Sequence, residues 1–319
     1  MCYSAQIEAD YRKYLRLTGD GISLHDFYDL FWRRQSDFSI KIPKAVEDLF
    51  ARPTNEQEEQ IKALIDAFNV AQANTLEQEL FKQRKRLADA ERAPQVKSTK
   101  KDTESQRIAT AKIEWAKGKL ADLRRTEPED RDSRIFPGHY APVLVMENGQ
   151  YVVKPMRYQC RLAGKPAFYD SKFPGTYNAR RDNLEGFWKS LFGRSHAVML
   201  ASAFYENVAQ HSVEGRALRE GEKPQNVVLE FKPRPAQHML VACLWSRWSA
   251  PGEPDLLSFA AITDEPPPEV AAAGHDRCII PIRPENLPAW LNPNGADLAA
   301  QYAILDARER PYYEHALAA

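Results

Sequence analysis

Ready-made signatures are scarce in this sequence. Its 319 residues include four cysteines, at positions 2, 160, 243 and 278, and no two of them form a CxxC pair. That spacing excludes a zinc module and a disulfide framework. There is no GxGxxG, no P-loop and no internal repeat, which removes the common nucleotide-binding and solenoid readings. Net charge is lacking too: 44 Lys and Arg stand against 44 Asp and Glu. A polyanion could therefore be attracted only by a local basic patch. No basic segment followed by an apolar run opens the chain, and no apolar run is long enough to span a bilayer. The expected location is cytoplasmic. No metal site and no cofactor are expected.

What is present describes a globular protein, with 43% apolar and 28% charged residues. The length suits one large domain or two ordinary ones. Residues 1 to about 42 mix aromatic and charged side chains. In "SLHDFYDLFWRR", Ser23 is placed to cap a helix whose apolar residues follow at helical spacing. Residues 43–134 have almost no glycine and are rich in Glu, Gln, Lys, Arg, Ala and Leu, the composition of long exposed helices. Ile61, Leu64, Ile65, Phe68, Leu76, Leu80 and Phe81 make one apolar stripe. A break near "APQVKSTKKDTES" precedes a second helix, capped by Asp102 or Thr103. From Lys82 to Arg134 there are sixteen Lys or Arg against ten Asp or Glu, whereas the preceding arm is acidic. An antiparallel hairpin would pair the two signs as a solvated, salt-laced surface. A nucleic-acid contact by the basic arm is the alternative.

From residue 135 onward the texture is that of strands. "APVLVMENGQYVVKPMRY" places Asn-Gly between two β-rich runs, a hairpin signal. "HAVMLASAFYENV", "NVVLEFKPR", "HMLVACLWSRW" and "LLSFAAITD" are further strands. "DNLEGFWKSLF" reads as a short helix, and "RPENLPAWL" opens another with an early proline. This order predicts an antiparallel or mixed α+β domain rather than a doubly wound sheet.

Four polar features border these apolar runs. Asn178, Arg180 and Arg181 lie in "GTYNARRDN". Glu206 ends the apolar strand "MLASAFYENV". His275 precedes "CIIPI". Cys2 follows the initiator methionine. A glutamate at the end of an apolar strand is suited to proton transfer when desolvation raises its pKa. A histidine at a strand entrance exchanges protons near neutral pH. Removal of Met1 would give Cys2 a free α-amine beside its thiol. Each feature also has a plain structural reading: Glu206 paired with an arginine, His275 satisfied by backbone, Asn178 in a turn, and Cys2 idle in a frayed terminus.

The order Met-Cys, "NARRDN", "FYE" after an apolar strand, then "HDR" before a β-run and "LPAWL", resembles the SRAP (SOS response-associated peptidase) family of abasic-site shielding proteins. The resemblance covers about residues 1–40 and 135–319. It implies a strand-rich, barrel-like catalytic domain from residues 1–42 and 135–319, with 43–134 as a helical insertion. It also implies a reaction. The Cys2 amine attacks the aldehyde of an abasic site in single-stranded DNA, and the thiol closes a thiazolidine ring on the imine, after Met1 is removed or self-cleaved. Catalytic roles would fall to Cys2, Asn178, Glu206 and His275, and phosphate contact to Arg180 and Arg181.

The chain departs from the family at two places. Cys-Gly-Arg is replaced by Cys2-Tyr3-Ser4, so an arginine facing DNA is missing at position 4. Trp-Gly-Leu-Ile-Pro is replaced by "MRYQCRLAG", where Arg157 and Tyr158 are the stand-ins for the base wedge and the lost charge. Two other classes fit an N-terminal cysteine or a long hairpin. One is a hydrolase, either a glutamine amidotransferase, which would continue Cys-Gly-Ile, or a thiol peptidase using Cys2 and His275. The other is a non-catalytic interaction protein working through residues 43–134.

Overall fold

Alternation and turn chemistry dictate the strand-rich half of the molecule. The computed structural model describes residues 3–10, 12–14, 21–92 and 100–318. Three short strands come first: β1 (Ser4–Ile7), β2 (Gly21–Ile22) and β3 (Arg134–Ile135). A long hairpin follows, β4 (Tyr140–Glu147) and β5 (Gln150–Tyr158). Its turn is Asn148-Gly149, at φ 51° and 79°. Both angles are left-handed, as a two-residue turn matched to strand twist requires. Next are β6 (Asn178–Arg180), β7 (His196–Ala209), β8 (Asn226–Arg234), β9 (Met239–Ala250) and β10 (Glu253–Asp264). The last are β11 (Cys278–Ile279), β12 (Pro281–Ile282) and β13 (Tyr312–Leu317).

Pairing closes a barrel. β7 pairs with β4 and β9, β9 with β10, β10 with β5, and β5 with β4. Only the β10–β5 step of this circuit is parallel. Closure leaves those five strands without a free edge. β7 is the hub, because β1 and β8 flank its second half. It is buried along most of its length, which is why it reads as a nearly unbroken apolar run. Phe204 of β7 stacks on Phe231 of β8 at 5.0 Å, and the Tyr313 ring meets Phe204 edge-on. The architecture is α+β, as the order of elements predicts.

The three longest helices among the described residues pack one on the next in chain order. α1 (Leu24–Arg34) is capped by Ser23, whose Oγ accepts from the Asp26 N–H at 3.4 Å, and buries Phe27, Leu30 and Phe31. α2 (Glu56–Glu91) is capped by Asn55, while Glu58 reaches back to the Thr54 N–H at 2.7 Å. The Asn55 bond satisfies one of the N–H groups that a helix start leaves orphaned, and the Glu58 bond fixes the residue ahead of the cap. α3 (Lys100–Arg124) runs back along α2, burying Ala109, Ile113, Ala116 and Leu120 on one stripe. Opposite signs meet across the pair: Glu79 with Lys112 at 3.6 Å, and Glu77 with Arg124.

Three local expectations need correction. Asp102 and Thr103 lie inside α3 rather than capping it. The apolar stripe of α2 holds at its base, where Ile61 and Ile65 are buried, but Phe81 is 73% exposed. "DNLEGFWKSLF" forms a 3-10 turn over Arg181–Asn183 followed by further turns, not an α-helix. There the Asn183 carboxamide accepts from the Phe187 N–H at 3.1 Å, a side-chain bond that competes with helix continuation.

Candidate active site

The site is assembled where β1 meets β7. Ser4 pairs with Tyr205 and Ala5 with Phe204, so the first described strand begins one residue from Glu206. Glu206 is fully buried. Its Oε2 lies 3.0 Å from Nε2 of His275, which arrives from the loop ahead of β11. A carboxylate with no exposed surface persists only beside hydrogen-bonding or charged groups. Two of the expected segments, "FYE" and "HDR", therefore meet in one buried acid–imidazole contact.

The other ring nitrogen has two partners from one residue. His275 Nδ1 sits 2.9 Å from the Arg277 carbonyl oxygen and 3.2 Å from the Arg277 N–H. It donates to the first when protonated and accepts from the second when not. The Arg277 backbone thus supports either state of the ring. Burial pushes the His275 pKa below its ordinary value, and the bond to the Arg277 backbone partly opposes that shift. A ring so placed can take up and return a proton at the carboxylate.

The "NARRDN" segment is joined to this pair. Asn178 is buried on β6, in register with Ala261 of β10. The Tyr177 ring, just before it, meets the Tyr3 ring edge-on at 6.4 Å. Arg180 is half-exposed and holds Asp182 bidentately, at 3.1 and 2.6 Å. Asp182 in turn lies 3.9 Å from Arg277. Asn178 and Arg180 also line a cleft of about 320 Å³ with Phe173, Phe187 and Trp188.

The remaining expected residues are placed differently. Arg181 turns away, pairs with Asp306 at 2.5 Å and covers the Tyr302 ring. Arg157 is tied to Asp170 at 2.9 Å and to the Gln159 carbonyl. Tyr158 is fully buried between Phe259 and Tyr177, at ring distances of 5.2 and 5.6 Å. A ring with no exposed face is not a base wedge in this conformation. Cys2 lies outside the described residues. The other three thiols are buried and unbridged. Burial pushes Cys160 up to about 12, and Cys243 and Cys278 are raised by the same cause.

Sequence reasoning missed Arg134. Its Nε donates to the Ser4 hydroxyl at 3.1 Å, and its guanidinium lies 3.7 Å from the centre of the Tyr205 ring. It also lies 4.9 Å from the Phe136 ring, which meets Tyr3 edge-on at 5.7 Å. The signal was invisible locally, since Arg134 closes a stretch crowded with charges. Only the pairing of β3 with β1 brings it here.

The family model described as SOS response associated peptidase (SRAP) matches residues 103–317. The chain belongs to the SRAP family. Membership associates it with the DNA-damage response and with a peptidase-like role in general. The matched region includes Asn178, Glu206 and His275 and begins within α3, downstream of Cys2. No curated protein matches this SRAP chain. Among solved structures it is similar to a protein from Bordetella bronchiseptica, at 16% identity and TM-score 0.46, over 59% of this chain and 87% of that one. It is also similar to a phage-related protein from the same organism, at 19% identity and TM-score 0.43, over 61% and 85%. A third, from Bacteroides thetaiotaomicron, has 13% identity and TM-score 0.42, over 53% and 71%. Among the described residues no helix is long and apolar enough to cross a membrane. No group of three or more His, Cys, Asp or Glu among them is arranged to hold a metal ion.

Proposed function

We propose that this SRAP protein captures abasic sites in single-stranded DNA through Cys2, after Met1 has been removed or self-cleaved. The α-amine adds to the C1′ aldehyde, water leaves, and a Schiff base forms. The thiol then adds across the C=N bond, its proton passing to nitrogen, and a thiazolidine results. Ring closure between groups on neighbouring carbons gains from proximity. An α-amine titrates near pH 8 and a thiol near 8.5, so both nucleophiles are accessible at neutral pH.

The observation that carries this reading is the buried Glu206–His275 contact at 3.0 Å, beside the start of β1. Two further points support it. Cys2 stands two residues before Ser4, and two Cα steps span at most about 7 Å. Ser4 pairs with the neighbour of Glu206. The three other thiols are buried with raised pKa values and are poor nucleophiles. In this scheme Glu206 delivers and collects the protons of sugar-ring opening and of water loss. His275 holds the proton it shares with Glu206 and faces the sugar oxygen. Asn178 positions the aldehyde. Arg180 and Arg134 supply cations for the flanking phosphates, while Arg181 and Arg157 shape the walls.

The test is a denaturing gel of the protein mixed with single-stranded DNA carrying one abasic site. A heat-stable shifted band is expected, and Cys2→Ala should abolish it. No band from protein whose mass proves Met1 absent would sink the reading.

A further inference from the structure

The crevice between the helical hairpin and the barrel is open, with a volume of about 920 Å³, and nothing above uses it. We propose that it is a track for single-stranded nucleic acid leading away from the Glu206–His275 pair. The proposal shares its partner and Arg134 with the abasic-site reading, but it is tested at Lys41, Lys119 and Trp115, to which that reading gives no role.

Three observations select this occupant. The first is continuity: Arg134 and Phe136 line the crevice and also touch Ser4, Tyr205 and Tyr3 at the site. A strand leaving the site meets the crevice first. The second is charge. Of the acids along it, Glu47 pairs with Arg34, Asp66 with Lys62, and Asp122 and Asp132 with Arg125. Asp48 lies in the field of Lys44. Lys41, Lys119 and Arg134 have no carboxylate within 4.0 Å among the described residues. The wall is therefore net cationic once its internal pairs are discounted, although the whole chain is neutral. The third is aromatic surface. Trp115 on α3 is 54% exposed, and both it and Phe136 line the crevice. Spaced cations with aromatic faces are what a single strand needs, because bases stack on rings while phosphates follow the charges.

The experiment measures binding of the full chain to undamaged oligothymidylates of about 6 and about 18 nucleotides, lengths chosen against typical single-strand site sizes, at several salt concentrations. The longer oligomer should bind at least about tenfold tighter. Lys41→Glu with Lys119→Glu should weaken its binding about tenfold or more. Losing two phosphate contacts should also make the log K against log salt slope shallower by about 1.4. Trp115→Ala should weaken binding several-fold and leave that slope unchanged, because stacking releases no counterions. Equal affinity for the two lengths, or variants that bind like the parent, would overturn the proposal. All three side chains are exposed, and Lys41→Ala with Lys119→Ala repeats the test should charge reversal lower the unfolding midpoint. Because the DNA is undamaged, failure of the track and failure of the crosslink are read separately. Crosslinking with no dependence of binding on these residues removes only the track, and track-dependent binding with no crosslink removes only the Cys2 chemistry.

Discussion

At the scale of single residues, proton traffic is set by three buried or half-buried histidines. His196 accepts from the Gly193 N–H at Nε2 (2.8 Å), so its proton sits on Nδ1 and is donated to the Trp290 carbonyl at 3.0 Å. Burial lowers its pKa to about 3. Burial and nearby Lys41 lower that of His139 to about 4, and His275 is lowered in the same direction. A depressed histidine stays neutral in the folded state while the unfolded chain takes up a proton near pH 6.5. Stability from these groups is therefore complete above about pH 6.5 and falls as pH drops toward 4, by at most about 1.4 kcal/mol per unit for each group. Urea unfolding at pH 7, 6 and 5 should show this decline, and His196→Asn should make it shallower while leaving the part due to His139 and His275. A slope unchanged by the substitution removes His196 from the acid sensitivity. At the proposed acid–base pair, Glu206→Gln keeps size and removes the exchangeable proton, so the proposed crosslinking should slow about 100-fold. Rates unchanged in a timed gel would remove Glu206 from its acid–base role. Glu206 and His275 were legible because a charged residue interrupting an apolar β-run stands out. Tyr158 misled because it was the stand-in for a replaced family segment, and only its pairing beside Phe259 of β10 shows that the ring is buried.

At the scale of elements, the hairpin of α2 and α3 is two things end to end. Its base belongs to the main core, with Ile61 and Ile65 packed in the cluster that holds Phe27, Phe31 and Phe50. The Lys44 ammonium donates to the Asp122 and Arg125 carbonyls and ties the feet together. Beside it Asp132 is buried, and burial alone would raise its carboxyl, but hydrogen bonds from Arg125 and the Glu129 N–H hold it below the usual range. The outer half buries little, and Phe81 faces solvent. Ile61→Ala should therefore cost about 2–5 kcal/mol, whereas Phe81→Ser should change stability by less than about 0.5 kcal/mol. Chemical denaturation separates the two, and equal losses would mean that the outer half is packed. The helical periodicity of the sequence showed that these helices exist, but not which turns are covered. That depends on α1, which is remote in sequence. The Asn148-Gly149 turn and the cap at Ser23 were legible because their chemistry is local. The 3-10 turn at Arg181–Asn183 was not, because a single carboxamide bond decided it.

At the scale of the whole molecule, barrel closure organises the chemistry. Pairing of β1 and β3 brings Ser4 and Arg134 beside the strand that carries Glu206, and the end of β10 carries β6 with Asn178 and β11 just after His275. Such registers between distant strands leave little mark on a single sequence, which is why the barrel followed from family resemblance rather than from periodicity. Zero net charge did not exclude a cationic crevice, since carboxylates elsewhere balance it. One prediction separates binding from chemistry across the molecule. A version with an uncleaved N-terminal extension should bind undamaged single-stranded DNA like the parent and give no denaturation-resistant band. A band from the extended chain would mean that a group other than the Cys2 amine forms the link.

The bond between Arg134 and Ser4 bears on how relatives of this protein are to be compared. The resemblance drawn from the sequence implies an arginine at position 4, where this chain has Ser4. In space, a guanidinium still stands at that hydroxyl, delivered by a strand 130 residues farther along. Here the cation is set by place in the fold rather than by place in the sequence, and the expected outcome of aligning relatives is that positions 4 and 134 covary, with arginine at one where it is missing from the other.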